Sequence, residues 1–206
     1  MCYSINSSYF NWLKTFLIGI GLLIIYDDYD TKWVVSFILL FTQMQIFESI
    51  AWANINHINN NKNINSMLVI ILLLQPIIST LFALNKSRND KLLILLILLV
   101  LSLLYLIYLN RNIIIKPGIN GHLTWVDNKK NHVLDNKLIF IIYMVGLLYP
   151  FLYIDNKINK VVIMLYIVLS YLYSLNNYYK TDELSSYWCY IGTILMIIYA
   201  LLKIFN

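Results

Sequence analysis

The sequence predicts an all-α integral membrane protein, a seven-helix bundle, and three observations carry that prediction. Hydrophobic residues make up 60% of the 206-residue chain and charged residues only 12%, against roughly 25% charged in a soluble domain. Seven apolar stretches approach the roughly 20 residues that a helix needs to cross a ~30 Å hydrocarbon core. Short polar connectors rich in Asp, Asn and Lys separate them. With a mean hydropathy of +0.70, the chain cannot be disordered, a disulfide scaffold or an ordinary cytosolic enzyme.

The spans are expected at 10–25, 33–53, 66–84, 92–109, 138–154, 161–175 and 186–204, forming one transmembrane domain over 1–206. The first reads as a retained span rather than a signal peptide. It has no basic segment before it, Lys14 within it and no small-x-small pattern after it. The fourth, LLILLILLVLSLLYLIYL, is apolar all round, which excludes the alternation of a barrel strand. The longest connector, 110–137, is too short for a soluble domain. It carries Pro117-Gly118 and Asn120-Gly121, both turn formers, and is expected to fold. Ser185 or Ser186 is a suitable N-cap for the last span, and Asp182 and Glu183 suit its positive end. Tyr9, Tyr26, Trp33, Trp52, Tyr108, Tyr153, Tyr187 and Trp188 lie near span ends, as an interfacial aromatic belt would.

Seven spans put the termini on opposite sides. The fifteen basic residues then split eight to seven, so a count under the positive-inside rule does not decide the orientation. Their density in very short loops favours the C-terminal side as cytosolic and the N-terminus as outside. A net charge of +5, spread this evenly, does not suggest nucleic acid as a partner. It suits the headgroups of a lipid bilayer.

Polar side chains inside spans are expensive and generally face the bundle interior. Gln45, Glu48, Ser49 and Trp52 follow i, i+3, i+4, i+7 spacing, one stripe of the second span. In the third, Pro76 frees a carbonyl near Leu72, with Gln75 as its expected partner and Ser79 one turn on. In the last, Ser186, Cys189, Tyr190 and Thr193 share a face, a pattern that also serves close helix packing. His122 and Trp125 sit in the long connector. Alternation of the spans puts Glu48, Trp52, Ser186, Cys2, Cys189 and all three histidines on the N-terminal side. The expected site is a polar pocket opening there, lidded by the connector and floored near Gln75.

The runs Gln43-Met44-Gln45-Ile46-Phe47-Glu48-Ser49-Ile50-Ala51-Trp52, Gln75-Pro76, Gly121-His122-Leu123-Thr124-Trp125 and Ser186-Tyr187-Trp188-Cys189 resemble a family of uncharacterised multi-pass membrane proteins of giant DNA viruses, with more distant bacterial relatives. The abundance of Asn, Ile, Lys and Tyr fits an AT-rich genome. The resemblance implies that these positions belong together, and it implies no established activity.

Familiar seven-span chemistries can be tested residue by residue. A retinal protein needs a lysine near the middle of its last span, and Lys203 is at its end. Zinc would want three protein ligands; His57, His122 and His132 are all in connectors, which signals a metal only weakly. There is no P-loop, HExxH or GxSxG, and no cofactor is implied. The expected role is binding or transport of a small molecule or lipid. Glu48 would be the charged anchor, Gln45 and Gln75 the hydrogen-bonders, Trp52 and Trp125 the aromatic walls, with Ser186 and Cys189 lining the pocket. His122 would gate it by protonation near neutral pH. The alternatives are a membrane-embedded hydrolase or transferase using Glu48 and His122 as acid and base, with or without metal, and a purely structural membrane protein. Oligomeric state is not legible, and pairing of Cys2 with Cys189 is left open.

Overall fold

The computed structural model describes residues 4–56, 58–109, 114–126, 137–181 and 183–205. Its helices are α1 (Ile5–Ile25), α2 (Tyr29–Ala53), α3 (Ile58–Ser87), α4 (Asp90–Leu109), α5 (Lys137–Leu148), α6 (Lys157–Tyr178), α7 (Leu184–Gly192) and α8 (Ile194–Phe205). Side-chain caps set three of the starts. Ser4 accepts from Ser7 N–H, Asp28 from Thr31 N–H and Asn156 from Asn159 N–H, each satisfying a donor that the first turn leaves open.

Six helical segments are long and apolar enough to cross a membrane, counting α7 and α8 together as the last. The fifth expected span is shorter: α5 has 12 residues and continues as a 3-10 turn over Tyr149–Tyr153, where Pro150 cannot donate to an α-helical bond. At the third span the helix starts earlier than expected, because α3 already runs through the Asn-rich connector from Ile58. Extending an existing helix needs no new nucleus, so poor helix formers are tolerated there.

The described start of α1 and end of α8 lie at opposite ends of the bundle. At one end Ser49 Oγ donates to Ile5 C=O at 3.2 Å. At the other, Tyr26 OH donates to Lys203 C=O at 3.1 Å and Lys203 Nζ meets Asp28 Oδ2 at 2.8 Å. Helices α2 and α3 are the most buried spans. Outward faces are apolar: Ile94, Ile97, Leu101, Leu104 and Tyr108, a helical stripe on α4, are each more than half exposed. A contiguous apolar face of this kind is foreign to a soluble monomer and natural against lipid.

Two residues expected in the interfacial belt are core instead. Trp33 is fully buried, stacks with Phe82 and Phe151 at 6.2 and 5.7 Å, and donates Nε1–H to Ser79 Oγ at 3.1 Å. Trp188 meets the rings of Phe41, Tyr143 and Tyr171 and donates to Ser170 Oγ at 3.1 Å. A buried indole needs an acceptor for its N–H, and hydroxyls on neighbouring helices supply it. Gly146 lets α5 approach the Pro76 bend: a Cβ there would come within 2.8 Å of Pro76 Cβ.

The long connector is folded, as expected, into strands β1 (Ile114–Pro117) and β2 (Leu123–Val126), paired antiparallel with Ile115 opposite Trp125. Its turn closes through Gly121 N–H to Gly118 C=O at 3.2 Å. Gly121 then adopts φ 81°, the left-handed residue that a three-residue hairpin loop places after its turn. Period-2 alternation buries Ile115, Leu123 and Trp125 against the helices and leaves Lys116 exposed. Strand β1 packs on α3 and β2 on α7.

Candidate functional site

Four helices bring polar groups together inside the bundle. On α2, Gln45 Nε2 donates to Glu48 Oε2 at 3.0 Å, an i, i+3 pair that helical spacing places on one face. From α5, Tyr143 OH donates to Gln75 Oε1 of α3 at 3.1 Å. Cys189 of α7 has both Glu48 and Tyr143 within electrostatic range, and its neighbour Trp188 meets the Tyr143 ring at 6.2 Å. Gln45, Glu48, Gln75, Tyr143, Ser186 and Cys189 are all fully buried. Ser186 sits one turn from Cys189 towards the hairpin, and its Oγ has no hydrogen-bond partner, nor has Gln75 Nε2.

The structure thus brings Gln45, Glu48, Gln75 and Cys189 together, with Ser186 alongside. It reassigns others. Gln75 does not serve the carbonyl freed by Pro76: its Nε2, the group that would donate there, has no partner, while its amide oxygen accepts the Tyr143 hydroxyl from the closely packed α5. Ser49 leaves the stripe to bond Ile5 C=O. Trp52 is half-buried and lines a separate open cavity of about 330 Å³ with Ser4, Ile5 and Asn6, so it is no wall of the interior site. Trp125 is buried under the hairpin. His57, His132 and Cys2 lie outside the described residues. Cys189 is a free thiol, and among the described residues no group of three His, Cys, Asp or Glu is placed to hold a metal.

His122 is fully buried at the base of the hairpin loop, edge-on to the rings of Tyr178 and Tyr187 at 5.4 and 5.0 Å. Burial pushes its pKa from the ordinary 6.5 down to about 4, because the imidazolium loses its hydration among aromatic rings. At that value the ring is neutral near pH 7, unlike the titration near neutrality expected from the sequence. The depressed value makes a stability prediction. The unfolded chain binds this proton between pH 6.5 and 4 and the folded one does not, so stability is full above that window and falls as pH drops through it. Thermal unfolding should show a lower midpoint on acidification from neutral to pH 4. His122→Gln should flatten that slope; equal slopes would refute the assignment. Asp28 acts in a different window. Burial raises its pKa, but hydrogen bonds from Lys203 and Thr31 outweigh this and hold it below the ordinary 3.8, so its loss begins only in stronger acid.

Glu183 and Tyr143 are not among the site residues expected from sequence. Tyr143 carries one signal, a hydroxyl in the middle of an apolar run. Glu183 carries in sequence only that of a charge at a helix start; it is fully buried, and its Oε1 accepts Asn120 N–H at 2.8 Å. Its side chain lies directly over Gly118, where any Cβ would collide with the carboxylate.

At the opposite end the short charged turns are organised rather than merely solvated. Lys86 Nζ bridges Asp30 Oδ1 at 2.6 Å and Asp155 Oδ2 at 2.8 Å, and Asp155 N–H donates to Asp30 Oδ2 at 2.8 Å. These residues border an open cavity of about 580 Å³ with Asp28, Tyr29, Asn85 and Asn156. Within the bundle a void of about 10 Å³ beside Trp188 is large enough for one water at most. Comparison with protein-family models, with characterised proteins and with solved structures finds no match, so the site stands on its own geometry.

Proposed function

We propose that this chain is a seven-span integral membrane protein that binds a small molecule or lipid headgroup at the interior polar site, for sequestration or passage. The observation that carries the reading is the convergence of Gln45 and Glu48, Gln75, Tyr143, and Cys189 from four helices behind an apolar outer surface. Polar groups are costly in a span and are usually retained for a ligand, ion or proton. Counting α5 and its 3-10 extension as the seventh span is physically sound. At 1.5 Å per α-residue and 2.0 Å per 3-10 residue the segment reaches about 28 Å, close to the ~30 Å core. The extended final turn supplies the length that the helix lacks.

A second reading, in which these groups only hold helices together, is favoured by their pairing with one another, Gln45 with Glu48 and Tyr143 with Gln75. One experiment separates the two. The purified protein is screened by thermal shift against lipid headgroup analogues and small polar solutes, in parallel with Glu48→Gln and Gln75→Ala. A binder stabilises the parent and loses about tenfold or more in affinity in Glu48→Gln, equivalent to the 1.4 kcal/mol of a single charge-assisted hydrogen bond. Variants that lose stability while every compound shifts them like the parent would leave only the structural role.

A further inference from the structure

The residues of the interior site are closed off from solvent, so a ligand needs a route in. The hairpin is attached to the start of α7 by a small set of polar contacts. Asn120 N–H donates to Glu183 Oε1 at 2.8 Å, and Asn120 Nδ2 donates to Thr181 Oγ1 at 3.3 Å. Gly118 leaves the space that the Glu183 carboxylate fills. Yet this seam is poorly satisfied. Glu183 Oε2 and Ser186 Oγ on α7, and Trp125 Nε1 on the strand packed against α7, are buried with no hydrogen-bond partner. Buried polar atoms are normally paired, and each exception raises the free energy of the closed arrangement. Three exceptions on the two elements that meet here mark a contact that gains hydrogen bonds when it parts.

The seam also leads inward. Glu183, Ser186 and Cys189, at i, i+3 and i+6, descend one side of α7 from the hairpin to the neighbourhood of Glu48. Half-way along the last span the helix tightens at Thr193, whose N–H turns to Tyr190 C=O at 3.2 Å while its backbone stays helical at φ −65° and ψ −25°. Carbonyls near this turn are held by side chains: Ile191 C=O takes the Tyr166 hydroxyl at 2.7 Å and Tyr190 C=O the Thr193 hydroxyl at 2.8 Å. Beyond that turn α8 is fastened to the start of α2 through Lys203–Asp28 and Tyr199–Thr31. The half of the span that carries the seam thus meets the anchored half at a tightened turn, a local geometry that can serve as a hinge.

We propose that the β-hairpin is the lid of the interior site, that Glu183 is its latch, and that ligand passes between β2 and α7. The proposal rests on the site reading above. The ligand group that meets the open seam needs a donor for Glu183 and an acceptor for the Trp125 N–H, which a hydroxyl or a primary amide supplies. Glu183 is a positioning residue, acting through the hairpin backbone.

The test reads the access of N-ethylmaleimide to Cys189 in membranes, in a Cys2→Ser background. Asn120→Cys with Thr181→Cys joins two side chains that already meet. Oxidation locks the lid and leaves Cys189 as the one free thiol. Chemistry that needs an opening follows the population of the open form. The oxidised lock should therefore slow labelling about tenfold or more, while Glu183→Gln, which keeps the shape and weakens the charge-assisted bond, should speed it several-fold. Equal rates with the hairpin locked and free would overturn the lid, as would a Glu183→Gln protein that folds with the parent's midpoint and labels no faster. The thermal-shift response to Glu48→Gln is independent of these rates. A lid that fails while that response persists leaves the site standing; shielding by the lock without any ligand response leaves a lid over a purely structural core.

Discussion

Replacing Trp188 with alanine is expected to cost about 2–4 kcal/mol of stability. Large-to-alanine changes at buried aromatics cost roughly 3–5 kcal/mol in water-soluble proteins. In lipid the transfer part of that figure shrinks, because acyl chains are as apolar as the core, and lost packing remains. Here the packing is dense. Ring centroids of Tyr171, Phe41 and Tyr143 lie 5.1, 5.6 and 6.2 Å from that of Trp188, so three helices lose a shared neighbour at once. Gly192 next to it already lets the Phe41 ring rest on the backbone, and that glycine cannot grow to fill the gap. Trp188→Phe keeps most of the contacts and removes only the bond to Ser170, so about 1 kcal/mol is expected. Thermal unfolding in detergent, with both variants side by side, checks the pair. A small effect of alanine would mean that the α2–α6–α7 core is not packed as described.

The second large effect is expected at the opposite end of the bundle. Lys86→Met should cost about 2–3 kcal/mol, below the 3–5 kcal/mol of a fully buried pair because some water reaches this one. The lysine and Asp30 are 22% and 12% exposed, whereas Asp155 is 82% exposed. Removing the cation leaves two carboxylates facing one another, with Asp30 still holding the Asp155 N–H. Asp155→Asn, on the solvated arm, should change stability by under about 1 kcal/mol. The loss in Lys86→Met should persist in high salt, since screening acts mainly on exposed charges. Equal effects of the two substitutions would show that the bridge is a surface pair with no role in holding α2, α3 and the start of α6 together.

Six helices of membrane length were legible because an apolar run of that length reports its own preferred solvent whatever it packs against. Helical spacing also placed Gln45 with Glu48, and Ser186 with Cys189, correctly on shared faces. Proximity to span ends misled for Trp33 and Trp188. An indole near the interface and an indole turned inward have the same sequence signature, and the difference lies in whether a hydroxyl such as Ser79 or Ser170 waits on the next helix. Pro-Gly and Asn-Gly announced a folded connector, yet its two strands pair only because Ile115, Leu123 and Trp125 find helices to cover.

Hydropathy and periodicity act within one segment, and so they were enough for the apolar runs and the polar faces of individual helices. How each helix is rotated about its axis, and which neighbour it meets, depends on side-chain fit between segments distant in the chain. That fit put Tyr143 on Gln75, buried Glu183 over Gly118, set the Phe41 ring against Gly192 and drew Lys86 between two aspartates. No local pattern contains it, because its energy exists only once the helices are in contact.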